Sequence, residues 1–243
     1  MRKKSVAALF LTLSLMLCAC SGAIRPPYIA APPQTLPMPT QQPATMPAAT
    51  QLPKPIWVSP LAVEDFLEPV EEFSWERKAK PEFVMLHFTS AVVPHPEDPF
   101  SMDYIRQIFV DYDLSVHYII QRDGTVRCYI PENRVAWHAG AGQWGGNPQY
   151  TNNMNQYAIG IELVAIGSPA DMAMYLTEDD YLALDEAMKG FTDAQYAALR
   201  ALVADICRRH EIPMDKNHVI GHDAYNPEKT DPGSLFDWGR VLP

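Results

Sequence analysis

The chain has 243 residues, 47% of them apolar, enough for one good core with appendages. Its formal net charge is −10, so it gains nothing from counterion release on phosphates, and no nucleic acid is expected as a partner. The same charge argues against coulombic adhesion to an anionic membrane, so any membrane attachment needs another device.

That device is expected at the start. Arg2, Lys3 and Lys4 form a positive opening, and Val6–Leu17 is an uncharged, mostly apolar run of twelve residues. As a helix it would span roughly 18 Å, short of the ~30 Å hydrocarbon core, so residues 1–19 read as a signal peptide. Its removal would leave a net charge of −13, three positive charges fewer. Leu17-Cys18-Ala19-Cys20 resembles a bacterial lipobox, which makes Cys20 the expected lipidation site and mature N-terminus. The expectation is an extracytoplasmic protein held to a bacterial membrane by a lipid anchor. From there to residue 60 runs a Pro-rich stalk: residues 21–60 carry eleven prolines and no acidic residue. Proline at that density favours extended, solvated backbone. Residues 61–80 read as a transition whose Phe66, Phe73 and Trp75, like Trp57 before them, are available to pack on the domain.

A folded domain is expected over 81–243. Phe83–Phe88 is an apolar run of strand length, and Ile105, Ile108, Phe109 and Tyr112 follow helical spacing behind Ser101 as a possible N-cap. Ser115–Gln121 is a β-branched and aromatic strand that Arg122-Asp123-Gly124-Thr125 turns into Val126–Ile130. Tyr157–Val164 is another apolar strand, interrupted by Glu162. Residues 165–190 are acidic, loosely helical and read as an insertion. Thr192-Asp193-Ala194-Gln195 is a capping box opening a helix to about His210, with Leu199, Leu202, Val203 and Ile206 on one face. A short strand at His218–Gly221 and a turn or two of helix near the C-terminus follow. Strands alternating with helices predict an α/β domain built on one sheet. Beyond Cys18 and Cys20 only Cys128 and Cys207 remain, and either a disulfide or two buried thiols fits the sequence.

Among the histidines, His95 in a Pro-rich loop and His210 at a helix C-terminus read as surface residues. His87 differs, because it ends a very apolar strand where an unpaired imidazole is costly. With His222 and Asp231 it would make a three-ligand zinc site open to water at the fourth position. Taken alone, each histidine reads better as a satisfied core residue.

Six ordered stretches bear on that choice. They are Leu86-His87-Phe88-Thr89; Val116–Ile120 with Arg122-Asp123-Gly124; Arg134-Val135-Ala136-Trp137-His138-Ala139-Gly140; Ile159-Gly160-Ile161-Glu162-Leu163; Gly221-His222; and Lys229–Gly233 with Phe236-Asp237-Trp238 beyond. Together they resemble the zinc N-acetylmuramoyl-L-alanine amidases, a family that includes phage amidase-type lysozymes and peptidoglycan recognition proteins, in the form of its lipoprotein branch. The resemblance implies a mixed β-sheet flanked by helices, with zinc held by His87, His222 and Asp231. It places the catalytic carboxylate at Glu162 and the catalytic lysine at Lys229, with Trp137 and His138 lining the groove for glycan or peptide. The implied substrate is peptidoglycan or a muropeptide, cut between N-acetylmuramic acid and L-alanine. The alternative is a peptidoglycan-binding receptor of the same fold without activity. Such receptors typically lose a metal ligand, and this chain keeps the full set. A stem-peptide zinc peptidase would be expected to carry a motif such as HExxH, which the sequence lacks. Two departures stand out: related recycling amidases have arginine before the catalytic lysine, where this chain has Glu228, and arginine three residues before the position of His117, where it has Leu114. Arginine is the natural clamp for a carboxylate, so the changes bear on peptide recognition rather than bond cleavage.

Overall fold

A computed structural model describes residues 57–243; the signal peptide, Cys20 and nearly all of the stalk lie outside the described residues. The strands are β1 (Val63–Glu64), β2 (Trp75–Glu76), β3 (Phe83–Thr89), β4 (Tyr118–Ile120), β5 (Val126–Cys128), β6 (Arg134–Val135), β7 (Ala158–Val164) and β8 (Val219–Gly221). The helices are α1 (Met102–Asp111), α2 (Pro169–Met172), α3 (Glu178–Leu182), α4 (Asp193–His210) and α5 (His222–Tyr225). Six strands form one mixed sheet in the order β1-β5-β4-β7-β3-β8, in which only the β4–β5 hairpin is antiparallel. β2 and β6 pair separately.

Alternation along the central strands assigns the two faces of the sheet. Val84 and Leu86 of β3 and Ile159, Ile161 and Leu163 of β7 point to α4, where they bury Leu199, Leu202, Val203 and Ile206. Each of those helix side chains contributes about 1.5–3 kcal/mol by leaving water. The intervening positions, among them Met85, His87, Gly160 and Glu162, face the opposite side. There α1 packs Ile105 and Phe109 against Ile119 and Val164.

The helix boundaries follow local chemistry. Thr192 and Gln195 form the capping box at the start of α4, each side chain accepting the other's backbone N–H at 3.1 and 3.0 Å. Gln195 also donates to the carbonyls of Ile120 and Val164, tying the helix to the sheet. In α1, Ser101 occupies the N-cap position without a side-chain bond, and Tyr112 lies past the last turn, 72% exposed. The spacing put Tyr112 on the apolar face, but the helix ends before it. The insertion holds α2 and α3 around a small core of Val92, Ile166, Met172 and Tyr181.

Upstream of Pro81, β1 is an edge strand of the main sheet, and Phe66 and Phe73 pack on its two core clusters. His210 is buried, not at the surface as its helix-end position suggested. It bonds Glu132, a fully buried carboxylate that also takes hydrogen bonds from Arg209 and Tyr118. Cys128 and Cys207 are both buried free thiols. No described helix is long and apolar enough to cross a membrane.

Candidate metal centre and cleft

Three parallel strand ends build the site. In the β3–β7 register His87 stands opposite Glu162, and in the β3–β8 register Leu86 stands opposite Gly221. Alternation then sets Glu162, His87 and His222 in a row across the carboxyl ends of β7, β3 and β8, on the face away from α4. This is where open α/β sheets present ligand sites. Gly221 has to be glycine: a Cβ there would lie 2.2 Å from Asp223 Oδ1 and 2.7 Å from Pro232 Cδ. That close approach lets the loop after α5 fold back, with Asp223 N–H donating to the Asp231 carbonyl at 2.9 Å. Asp231 is thereby delivered to the two histidines.

The three side chains converge. His87 Nδ1 lies 3.1 Å from His222 Nδ1 and 2.7 Å from Asp231 Oδ2, and His222 Nδ1 lies 3.0 Å from the same oxygen. Four-coordinate zinc with bonds of roughly 2.0–2.1 Å holds neighbouring donors at most about 3.4 Å apart, so this spacing suits a shared ion. The donor chemistry suits it as well. His222 Nε2–H donates to the Ala139 carbonyl at 3.0 Å, which leaves its Nδ1 lone pair for the cluster. Among the described residues this is the one cluster of such groups able to hold a metal. Burial alone would raise the Asp231 carboxyl, but the two imidazoles that face it, His222 and His87, hold it below the usual range. Burial depresses His87 and keeps its imidazole neutral, as a ligand must be.

Glu162 stands beside the cluster without joining it. Its Oε2 is buried with no protein partner. Burial, reinforced by the negative charge of Asp231 and opposed in part by Lys229, pushes its carboxyl well above the usual carboxylate range. A strand glutamate turned to solvent would show neither property. All of these groups line one cavity of about 870 Å³, together with His138, Glu228 and Lys229. Leu114 and the insertion residues Ala170, Asp171, Ala173, Met174 and Tyr175 complete its walls. Asp171 anchors that wall, its Oδ2 accepting from Ser168 N and Oγ at 2.9 and 2.7 Å.

The structure treats the two expected groove residues differently. His138 is buried, its Nδ1 3.0 Å from His87 Nε2. Trp137 packs tilted against Trp75 with ring centroids 5.5 Å apart, and it is not among the residues lining the cavity. His117 is a structural residue: its Nδ1 accepts from Gly160 N–H at 3.0 Å and its Nε2 lies 3.2 Å from the Arg134 carbonyl. Sequence reading missed Asn155, whose Oδ1 takes the backbone N–H of His138 at 3.0 Å and of Ala139 at 2.8 Å. Nothing in its local sequence marks it. It also missed the cleft wall contributed by the insertion, where Met174 and Tyr175 are exposed.

Residues 77–234, a stretch that holds His87, Glu162, His222, Lys229 and Asp231, match the N-acetylmuramoyl-L-alanine amidase family. The chain belongs to that family. Within it, the chain is 36% identical over 128 residues to the 1,6-anhydro-N-acetylmuramyl-L-alanine amidase AmpD of Citrobacter freundii, covering 52% of this chain and 54% of that protein. It is 32% identical over 146 residues to AmpD of Haemophilus influenzae, covering 60% and 65%. Against the N-acetylmuramoyl-L-alanine amidase AmiD of Escherichia coli it is 31% identical over 158 residues, covering 62% and 50%. The chain therefore spans about half to two thirds of the length of these relatives. Among solved structures, that of a selenomethionine derivative of AmpD superimposes with a TM-score of 0.56 at 27% identity, covering 78% of this chain and 97% of that one.

Proposed function

We propose that this amidase hydrolyses the amide bond between the lactyl group of N-acetylmuramic acid and L-alanine, in peptidoglycan or in muropeptides released from it. The observation that carries the reading is the row of Glu162, His87 and His222, closed by Asp231 and set in one cleft with Lys229. His87, His222 and Asp231 would hold zinc, which acts when bound as a Lewis acid that lowers the pKa of water towards ~7 and polarises the scissile carbonyl. Glu162 takes the proton of the attacking water and returns it to the departing alanine nitrogen in this reading. Burial raises its pKa well above the usual carboxylate range, which strengthens it as a base and as the acid that later returns the proton. Lys229 supplies positive charge on the cavity wall for the oxyanion that forms as water adds. A receptor would need none of these proton-handling groups, and retention of all of them favours the enzyme.

The enzyme would work outside the cytoplasm, tethered through acylated Cys20 by the Pro-rich segment. Labelling cells with a fatty acid tests the tether: the label should enter the wild type and be lost, with membrane fractionation, in Cys20→Ser. Equal label in both would dispose of the anchor. The activity itself is tested by mass spectrometry of peptidoglycan digested with the purified protein. Free stem peptides beginning with L-alanine are expected. Fragments cut within the glycan or within the stem would assign a different bond.

A further inference from the structure

We infer that His138 is a positioning residue for the metal centre, holding His87 in the one tautomer whose Nδ1 can bind a cation shared with His222 and Asp231. The inference rests on the reading of His87, His222 and Asp231 as zinc ligands. A neutral imidazole has one protonated and one bare nitrogen. For His87 to offer the Nδ1 lone pair that faces His222 and Asp231, its proton must sit on Nε2. The polar atom that the structure sets against that nitrogen is His138 Nδ1, at 3.0 Å. His138 therefore has to accept there and carry its own proton on Nε2.

Several independent features hold His138 in that role. Asn155 fixes its backbone N–H, so the ring is delivered by a braced loop. The ring lies against Gly160, where a Cβ would come within 2.7 Å of it. That strand position has room for the imidazole because it is glycine. His138 Nε2 is buried without a protein partner, so no competing contact dictates the opposite tautomer. The next ring, His117, is 5.7 Å away by centroid and bonded to backbone on both nitrogens, so it does not take the His87 contact over. Outer partners of this kind are worth about 10–100-fold in metal affinity.

The test uses the full chain and zinc alone, in competition with a chelator of known affinity. His138→Leu should weaken zinc binding about 10–100-fold. His138→Asn, whose Oδ1 falls near the position of the histidine Nδ1, should restore most of that loss. A merely structural role would show no such rescue. Wild-type affinity in a folded His138→Leu, or an Asn variant as weak as Leu, would overturn the proposal. Should both variants fail to fold, nitrogen chemical shifts of the zinc-loaded wild type decide, since they distinguish the two tautomers. His138 with a bare Nδ1 and protonated Nε2 is expected, and the reverse tautomer overturns it. A wild type that binds no zinc would defeat the metal reading on which the proposal rests, and the proposal with it, whereas zinc bound with the reverse tautomer would defeat the positioning role alone.

Discussion

At the scale of single residues, the roles proposed for Glu162 and Lys229 separate catalysis from coordination. Neither residue belongs to the cluster of metal-holding atoms, although both line its cavity. Glu162→Ala and Lys229→Ala should therefore keep zinc and fold while losing about 10²–10⁴ in turnover. Variants that cleave like the wild type would displace these residues from the mechanism. The pH profile carries a second expectation. A base must be ionised to act, and burial raises the Glu162 carboxyl. The acidic limb of kcat/KM should accordingly fall well above the ordinary carboxylate value of 4.5. A limb at or below that value would mean that another group controls it.

At the scale of elements, α4 and its C-terminal network carry the stability. Leu202 is fully buried between α4 and the sheet, so Leu202→Ala should cost about 2–5 kcal/mol, read by denaturant titration. Glu132 makes a pH-dependent contribution. Burial raises its pKa, but hydrogen bonds from Arg209, His210 and Tyr118 outweigh this and bring it down to about 2. A folded pKa below the unfolded value gives stability that is present above about pH 4.5 and lost as pH falls towards 2. Unfolding free energy should drop across that window in the wild type and much less in Glu132→Gln. Equal slopes would remove Glu132 from the acid response.

The same elements show how much was legible in advance. Alternation and capping chemistry are local, so the Phe83 strand, the Gln121–Val126 hairpin turn and the α4 capping box all read correctly from neighbouring residues. Long-range contacts were not legible. Whether Glu162 faced solvent or the cluster depended on its register with His87, 75 positions upstream in the numbering. His210 read as a surface histidine because its buried partner, Glu132, lies 78 residues away. The set of His87, His222 and Asp231 was legible through the resemblance, and the spacing alone left it open. Asn155 and the partnership of His138 with His87 had no sequence signature, since each is a contact between segments that only the fold brings together.

At the scale of the whole molecule, the parallel strands of a mixed sheet gather two imidazoles and a carboxylate at their carboxyl ends, and a folded-back loop brings in Asp231. The insertion then raises one side of the cleft with Met174 and Tyr175, while Lys229 and Glu228 stand together on its lining. Charge reversal at Glu228 is informative here. Glu228→Arg should improve use of stem peptides bearing an extra carboxylate by about two- to fivefold, chiefly in KM, as expected for one exposed ion pair. An unchanged KM would place Glu228 outside the peptide path.

The central claim, a zinc amidase built on His87, His222 and Asp231, is tested most directly by measuring metal content and product release on the same purified samples. The wild type should hold one zinc per chain and release stem peptides with free L-alanine N-termini. His222→Ala should lose both together. A metal-free wild type that still releases those peptides, or a zinc-loaded one that binds peptidoglycan and releases none, would contradict it.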